Sequence, residues 1–348
     1  MQPRSSGFLA GAVLLAAGCM SDPTDVDSTS DDEQASTPDS VYRWTDDVEI
    51  GGSMTSPYQV GLASHGTGLN MVFTGNNTML YTSHFTGSGW STVHGLPNQS
   101  ADYGPALADF NGALTTVYHA HGQNRLLMST STDGATWSTP VTAGTALWNH
   151  TLEYAPALAV HRGALYAAYC ENVGDHDRAH VDRFDGTTWT LAKVYDLPIT
   201  QYNADNSTYT HQCKHVALAS LPDGRLDLTF TQYSLYGSTD DWTMHNAFAT
   251  GTTVAWPSTY ASISTMKSKK PPSITTCNAV THLVHGGFSN PLEIWWSVYD
   301  YTAKAWNTNV RVPDQASDGG AALGCYNGTR AIMVHNGGYT PLWWSEYI

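Results

Sequence analysis

A repeat of roughly fifty residues runs through this sequence and restricts what the chain can become. Six segments read alike, each a short apolar strand, a turn and a second strand of alternating pattern: Gln59–Phe73, Gly104–Tyr118, Ala155–Tyr169, Val216–Phe230, Pro271–Val284 and Ala321–Val334. Their anchor residues Leu62, Leu107, Leu158, Leu218, Ile274 and Leu323 lie 45, 51, 60, 56 and 49 residues apart. Asn111-Gly112, Asp223-Gly224 and Asn327-Gly328 separate paired strands, and such dipeptides favour type I′ hairpins because both residues tolerate positive φ. A second hairpin bearing a tryptophan follows in most segments, regularly at Trp90, Trp137 and Trp189 and more loosely at Trp256 and Trp306. Two hairpins per repeat make one four-stranded blade, so the expected fold is all-β, a six-bladed β-propeller. The tryptophans then serve as packing between blades.

The two ends of the repeat region predict how the ring closes. The sixth repeat stops at Pro341–Ile348, which matches Pro291–Val298 of the fifth and therefore ends after a third strand. The segment Tyr42–Ile50 reads like the fourth strand at Trp189–Val194. An N-terminal strand completing the last blade pairs both free edges, which would otherwise invite association with other chains.

Upstream of the repeats lie two further regions, giving a division into 1–18, 19–40 and 41–348. Arg4 precedes an apolar run, Phe8–Ala17, that is shorter than the roughly 20 residues needed to span a bilayer and has the shape of a signal-peptide core. It ends in Leu15-Ala16-Ala17-Gly18-Cys19, which resembles the lipobox of bacterial lipoproteins. That resemblance implies a diacylated Cys19 at the mature N-terminus and an exported protein. Met20 rather than Asp follows the cysteine, which by the same resemblance implies the outer membrane or cell surface. Residues 20–40 hold seven acidic residues, no basic ones and only Met20 and Val26 as bulky apolar ones, so they read as a disordered tether. Of the formal charge of −15, residues 41–348 keep −9 once the tether acids and Arg4 are set aside. A surface of that sign repels phosphate backbones and excludes nucleic acid as a partner. The membrane is then reached only through the lipid.

Setting Cys19 aside leaves four cysteines. Cys170 ends the second strand of blade 3 and Cys213 begins the first strand of blade 4, both on the face called the top here. Cys277 and Cys325 fall at first-hairpin turns of blades 5 and 6, on the opposite face. Matching heights predict disulfides Cys170–Cys213 and Cys277–Cys325. A rival reading takes His211, Cys213 and His215, which share one face of a regular strand, as Zn²⁺ ligands. No cofactor is otherwise expected, with zinc or calcium as the alternative.

The same register gathers candidate ligand-binding residues on the top face: Tyr58, Tyr103, His119, His121, Glu153, Tyr154, Glu171, Tyr233, His285 and His335. Lys269-Lys270 precede the first strand of blade 5 on that face. Tyr58, Tyr103 and Tyr154 are equivalent in three blades, as are His119, His285 and His335. Aromatic rings that stack on C–H faces, with hydroxyl, imidazole and carboxylate partners, suit a sugar. Glycans or polysaccharide are therefore the expected partners.

The repeat as a whole (Pro-Ala-Leu-Ala … Asn-Gly-Ala-Leu-Thr-Thr-Val-Tyr-His … Asp-Gly-Ala-Thr-Trp-Ser) resembles the PLL-type propeller lectins and, more broadly, the sialidase-like (neuraminidase) propeller superfamily. The lectin resemblance implies binding of fucose or a related glycan on or between blades, here on a surface-displayed lipoprotein. Two departures stand out. Those lectins are usually seven-bladed, and Ser131–Trp137 lacks the residue between Asp and Gly that marks the sialidase Asp-box. The sialidase resemblance would also require three converging arginines, and the register puts Arg162, Arg225 and Arg330 on the bottom face. The alternative is a polysaccharide lyase or glycoside hydrolase with one His/Tyr site on the top face. His119, Tyr154, Arg178, His211 and His215 are its catalytic candidates, because histidine titrates near neutrality. Long loops at Cys170–His180 and Gln232–Trp242 would wall such a site.

Overall fold

Among the described residues of the computed structural model, six antiparallel sheets are blades that follow one another along the chain, and a seventh is a small ribbon pairing Thr200–Gln201 with Thr208–Tyr209 between blades 3 and 4. The structure describes residues 43–348 apart from 52–53, 146–150, 175, 198–199, 202–207, 210, 237–238, 291 and 338–340. The leader, the tether and Cys19 lie outside the described residues. Blade 1 is Gly61–His65, Gly68–Thr74, Met79–Phe85 and His94–Ser100; blade 2 is Ala106–Phe110, Ala113–His119, Leu126–Ser131 and Val141–Ala143. Blade 3 is Thr151–His161, Ala164–Asn172, Asp177–Phe184 and Trp189–Asp196; blade 4 is His211–Ser220, Leu226–Tyr236, Thr239–Ala249 and Ala261–Lys267. Blade 5 contains Ser273–Cys277, Val280–Gly286 and Glu293–Asp300, and its outer edge is split, because Ala305–Trp306 and Val310–Ala316 both pair with the third strand. Blade 6 contains Ala322–Tyr326, Arg330–Asn336 and Leu342–Glu346.

The ring closes as expected. Val48–Glu49 pairs with the last strand of blade 6, Val48 opposite Trp344 and Glu49 opposite Trp343, and Trp44 bridges to Tyr347. First strands of neighbouring blades touch all the way round, that of blade 6 against that of blade 1. They leave a narrow axial channel of about 80 Å³ lined by the anchor residues and by Pro105, Pro156 and Pro272. Proline suits that position: the innermost strand has one unpaired edge, and a residue without N–H loses nothing there.

Side chains alternate off each sheet into the space between blades, where the apolar clusters form. Trp90 packs 5.4 Å from Phe85, Trp189 stacks 4.9 Å from Phe184, and Trp306 lies 5.2 Å from Tyr299. Their indole N–H groups make no hydrogen bond, so these rings act through packing. Buried third-strand serines Ser83, Ser129 and Ser297 each donate to a carbonyl following the second hairpin, at 2.8 Å in each case. The turn acids Asp133, Asp185 and Asp300 each accept two backbone N–H groups from residues two and three positions on. Those bonds hold the Asp133 carboxyl well below the usual range and bring Asp185 to about 2.

Both disulfides form as expected, Cys170–Cys213 and Cys277–Cys325, each with Cα atoms 5.3 Å apart. Three expectations need correction. Asp223-Gly224 is not a type I′ pair, since only Gly224 has positive φ, whereas Arg162-Gly163 and Asn278-Ala279 are positive at both residues. The long loops of blades 3 and 4 are instead tall hairpins: alternation continues, so paired strands run to Asn172/Asp177 and to Tyr236/Thr239. The zinc reading loses its thiolate to the disulfide, and a bulge at Lys214 turns His215 to the opposite face from Cys213. Among the described residues no three His, Cys, Asp or Glu side chains are grouped to hold a metal.

Candidate functional site

The residue four positions before each anchor sits where its chain segment turns onto the axis. In blades 1 to 6 this residue is Tyr58, Tyr103, Tyr154, Lys214, Lys270 and Gly319. All except Lys214 line one pocket of about 260 Å³ at the top mouth of the channel, together with Gln59, His215, Trp242, Lys269 and Asp318. Half of the ring is aromatic, two positions are cationic, and the sixth is empty of side chain.

Local backbone chemistry produces this arrangement. Pro156 cannot join the ladder of blade 3, and Tyr154, Ala155 and Pro156 together stand opposite the single residue Tyr169. The bulge holds Tyr154 in the left-handed region, φ +65°, a conformation costing about 1 kcal/mol or more for a residue with a side chain. In blade 4, Lys214 is the extra residue between the pairs Cys213–Gln232 and His215–Thr231. Two glycines permit close approach: a Cβ at Gly104 would stand 2.1 Å from the Gln59 carbonyl, and one at Gly319 would stand 2.8 Å from that of Pro57. Gln59 ties the mouth together, its amide donating to the carbonyls of Pro271 and Ala321 at 3.1 and 2.6 Å.

The three tyrosines form a continuous arc, with ring centroids 6.0 Å apart for Tyr58–Tyr103 and 5.7 Å for Tyr103–Tyr154. Burial raises the phenol pKa of Tyr58, with Asp102 adding to it; burial also raises that of Tyr103, with its acidic and phenolic neighbours adding to it. Lys214 donates to the Tyr154 hydroxyl at 2.8 Å, lies 5.0 and 5.7 Å from the Tyr154 and Tyr233 rings, and is 3.8 Å from Glu153. His215 stands edge-on 5.0 Å from Tyr154. Burial drives its pKa down to about 3, so the ring is neutral, and its Nδ1 is buried without a hydrogen-bond partner. Beneath Lys214, Asp177 accepts from the Cys213 N–H at 3.0 Å and is raised to about 6 by burial, with Glu153 adding to it.

Of the sequence-derived candidates, Tyr58, Tyr103, Tyr154 and His215 meet in the pocket, with Glu153 and Tyr233 flanking Lys214. His119 backs Tyr103 at 5.5 Å and lies 3.5 Å from Asp102, which also accepts from the exposed His121 at 2.5 Å. The other equivalent histidines offer no surface to a ligand. His285 bonds the Gly286 carbonyl, and His335, 1% exposed, bonds Asp47 at 2.9 Å. The physical reason is that the second strand is interior to its sheet and covered by neighbouring blades on both faces. Glu171 is likewise buried, 3.4 Å from His180, and Arg178 pairs with Asp196. His211 is held by Ser234 and Gln232. No arginine lines the pocket among the described residues; Arg225 bonds Asp223 and Tyr299, Arg330 bonds Glu346, and Arg162 bonds the Gly224 carbonyl. Gln59, Trp242 and Asp318 were not singled out from sequence, although position four before the anchor would have pointed to the ring.

No protein-family model matches the sequence, and a search of curated proteins finds no relative. Solved structures share the fold. An α-L-arabinanase from Penicillium chrysogenum, in complex with arabinobiose, aligns over 87% of this chain and 98% of its own with a TM-score of 0.62 at 14% identity. The fucose-specific lectin of Aleuria aurantia aligns over 84% and 93% with a TM-score of 0.55 at 12% identity. A Hadza microbial sialidase aligns over 83% and 65% with a TM-score of 0.56 at 11% identity. The chain is a six-bladed β-propeller of the architecture shared by these lectins, sialidases and arabinanases.

Proposed function

We propose that this propeller binds carbohydrate in the axial pocket and that the lipidated Cys19 and the acidic tether display it at the cell surface. The observation that carries the reading is the arc Tyr58–Tyr103–Tyr154 at the pocket mouth, with the neutral imidazole of His215 beside it. Stacking faces supply area at little entropic cost, and convergent polar groups supply orientation. Structural neighbours that bind fucose and arabinobiose support it at the level of fold. The test is a glycan array probed with the native protein and with Tyr103→Ala. A defined set of glycans bound by the former and at least tenfold more weakly by the latter is expected; binding that Tyr103→Ala leaves intact would move the site elsewhere.

One observation favours a second reading, a lyase or glycoside hydrolase. The Tyr154 hydroxyl stands at the pocket and accepts from the Lys214 ammonium at 2.8 Å, so a phenol and an ammonium that could exchange a proton are in contact. Release of reducing ends or unsaturated uronates, abolished in Tyr154→Phe with the fold retained, would establish it.

A further inference from the structure

We infer that the pocket selects an acidic sugar, with the carboxylate or sulfate of that unit seated against Lys269 at the pocket rim between blades 4 and 5. The inference rests on the carbohydrate reading above and narrows it. Four of the six lysines in the chain, Lys214, Lys267, Lys269 and Lys270, gather at this one rim of a domain whose net charge is negative. Two of the four are satisfied: Lys267 lies 3.1 Å from Asp241, and Lys270 bonds both the carboxylate and the carbonyl of Asp318. The other two are paired more loosely. Lys214 and Lys269 have their nearest carboxylates, Glu153 and Asp240, at 3.8 and 3.9 Å, beyond hydrogen-bond reach. The Lys214 side chain is only 12% exposed, flanked by two tyrosine rings, and spends one N–H on Tyr154. Lys269 sits 5.0 Å from the Phe288 ring. An ammonium taken from water with its donors unspent is costly, and an anion delivered by the ligand removes that cost.

The remaining pocket groups fix which part of the ligand goes where. The tyrosine arc covers the half of the ring opposite the lysines, so a pyranose face lies on it while the charged substituent turns toward Lys269. With no arginine lining the pocket among the described residues, recognition is by point charge rather than by a bidentate fork, which leaves carboxylate and sulfate both admissible.

The experiment titrates the exported protein with polygalacturonate, with its fully methyl-esterified form, with dextran sulfate and with dextran. Polygalacturonate or dextran sulfate should bind at least tenfold more tightly than its uncharged counterpart, and whichever does so names the anion. Raising salt should erode that margin. Lys269→Gln should narrow it by about fivefold, the upper range for one partly exposed charge pair, while Lys269→Arg should keep it. Equal binding of acid and neutral forms overturns the inference and leaves the carbohydrate reading standing. Silence toward every glycan, here and on the array, overturns both. An unchanged margin in Lys269→Gln, with an unchanged melting temperature, also overturns the assignment.

Discussion

Replacing His180 by glutamine should destabilise the propeller by about 3 kcal/mol near neutral pH, and the loss should fade as the solution turns alkaline. His180 lies between Glu171, 3.4 Å from Nδ1, and Asp182, 3.1 Å from Nε2, and its ring stacks 4.6 Å from Tyr169. Burial alone would lower its pKa, but hydrogen bonds and charge from the two carboxylates outweigh it and bring the group up to about 9. Measured from the ordinary 6.5, that rise corresponds to roughly 3 kcal/mol of preference for the protonated folded state. The side chain is only 8% exposed, so solvent screening removes little of it. A raised folded-state pKa means that the contribution is complete below about 6.5 and disappears as pH climbs through about 9. Asp182 keeps its other donors, the Tyr169 hydroxyl at 2.8 Å and Thr145 through both N–H and hydroxyl, so glutamine removes the charge and the ring stack on Tyr169, and only the loss of charge depends on pH. Urea titrations of the native protein and His180→Gln from pH 6 to pH 10 should give midpoints that converge with rising pH at constant m. A gap independent of pH, or a variant as stable as the parent at pH 6, would refute the buried imidazolium.

The other predictions concern the staples and the closure. Cys277→Ser with Cys325→Ser opens a 48-residue separation and should cost about 4 kcal/mol in the chain-entropy account, read as a lower denaturation midpoint without reductant. Opening Cys170–Cys213, with a separation of 43, should cost a similar amount and should also weaken glycan binding, because Cys213 precedes Lys214 and His215; equal binding by both double mutants would separate the staple from the site. Trp44→Ala should cost about 3–5 kcal/mol, since the ring is buried and packs 5.5 Å from Tyr347 at the seam; a loss under 1 kcal/mol would mean that the ring does not depend on this strand.

The fold was legible because a propeller states its structure six times. A hairpin signal missing from one blade, as at Asn278-Ala279, is supplied by the register of the others, and the unmatched end of blade 6 pointed to its complement near Trp44. The same logic misled where it was applied to function. His119, His285 and His335 recur because the end of the second strand is a packed interior position, and recurrence of a buried polar residue reports architecture. The tyrosines were found because they recur at a position that happens to open on the axis. The rest of the site lies in departures from the repeat: the bulge that turns Tyr154 to φ +65°, the bulge that presents Lys214, and the change from tyrosine to lysine to glycine around the ring. Periodicity averages over such irregularities, so it cannot register them. A ring of identical positions can only offer six equivalent weak contacts. Breaking the symmetry at position four before the anchor makes one pocket with an apolar side and a charged side. Tyrosine in place of Lys214 and Lys270 would make the ring more regular and leave Lys269 alone to give the pocket a direction.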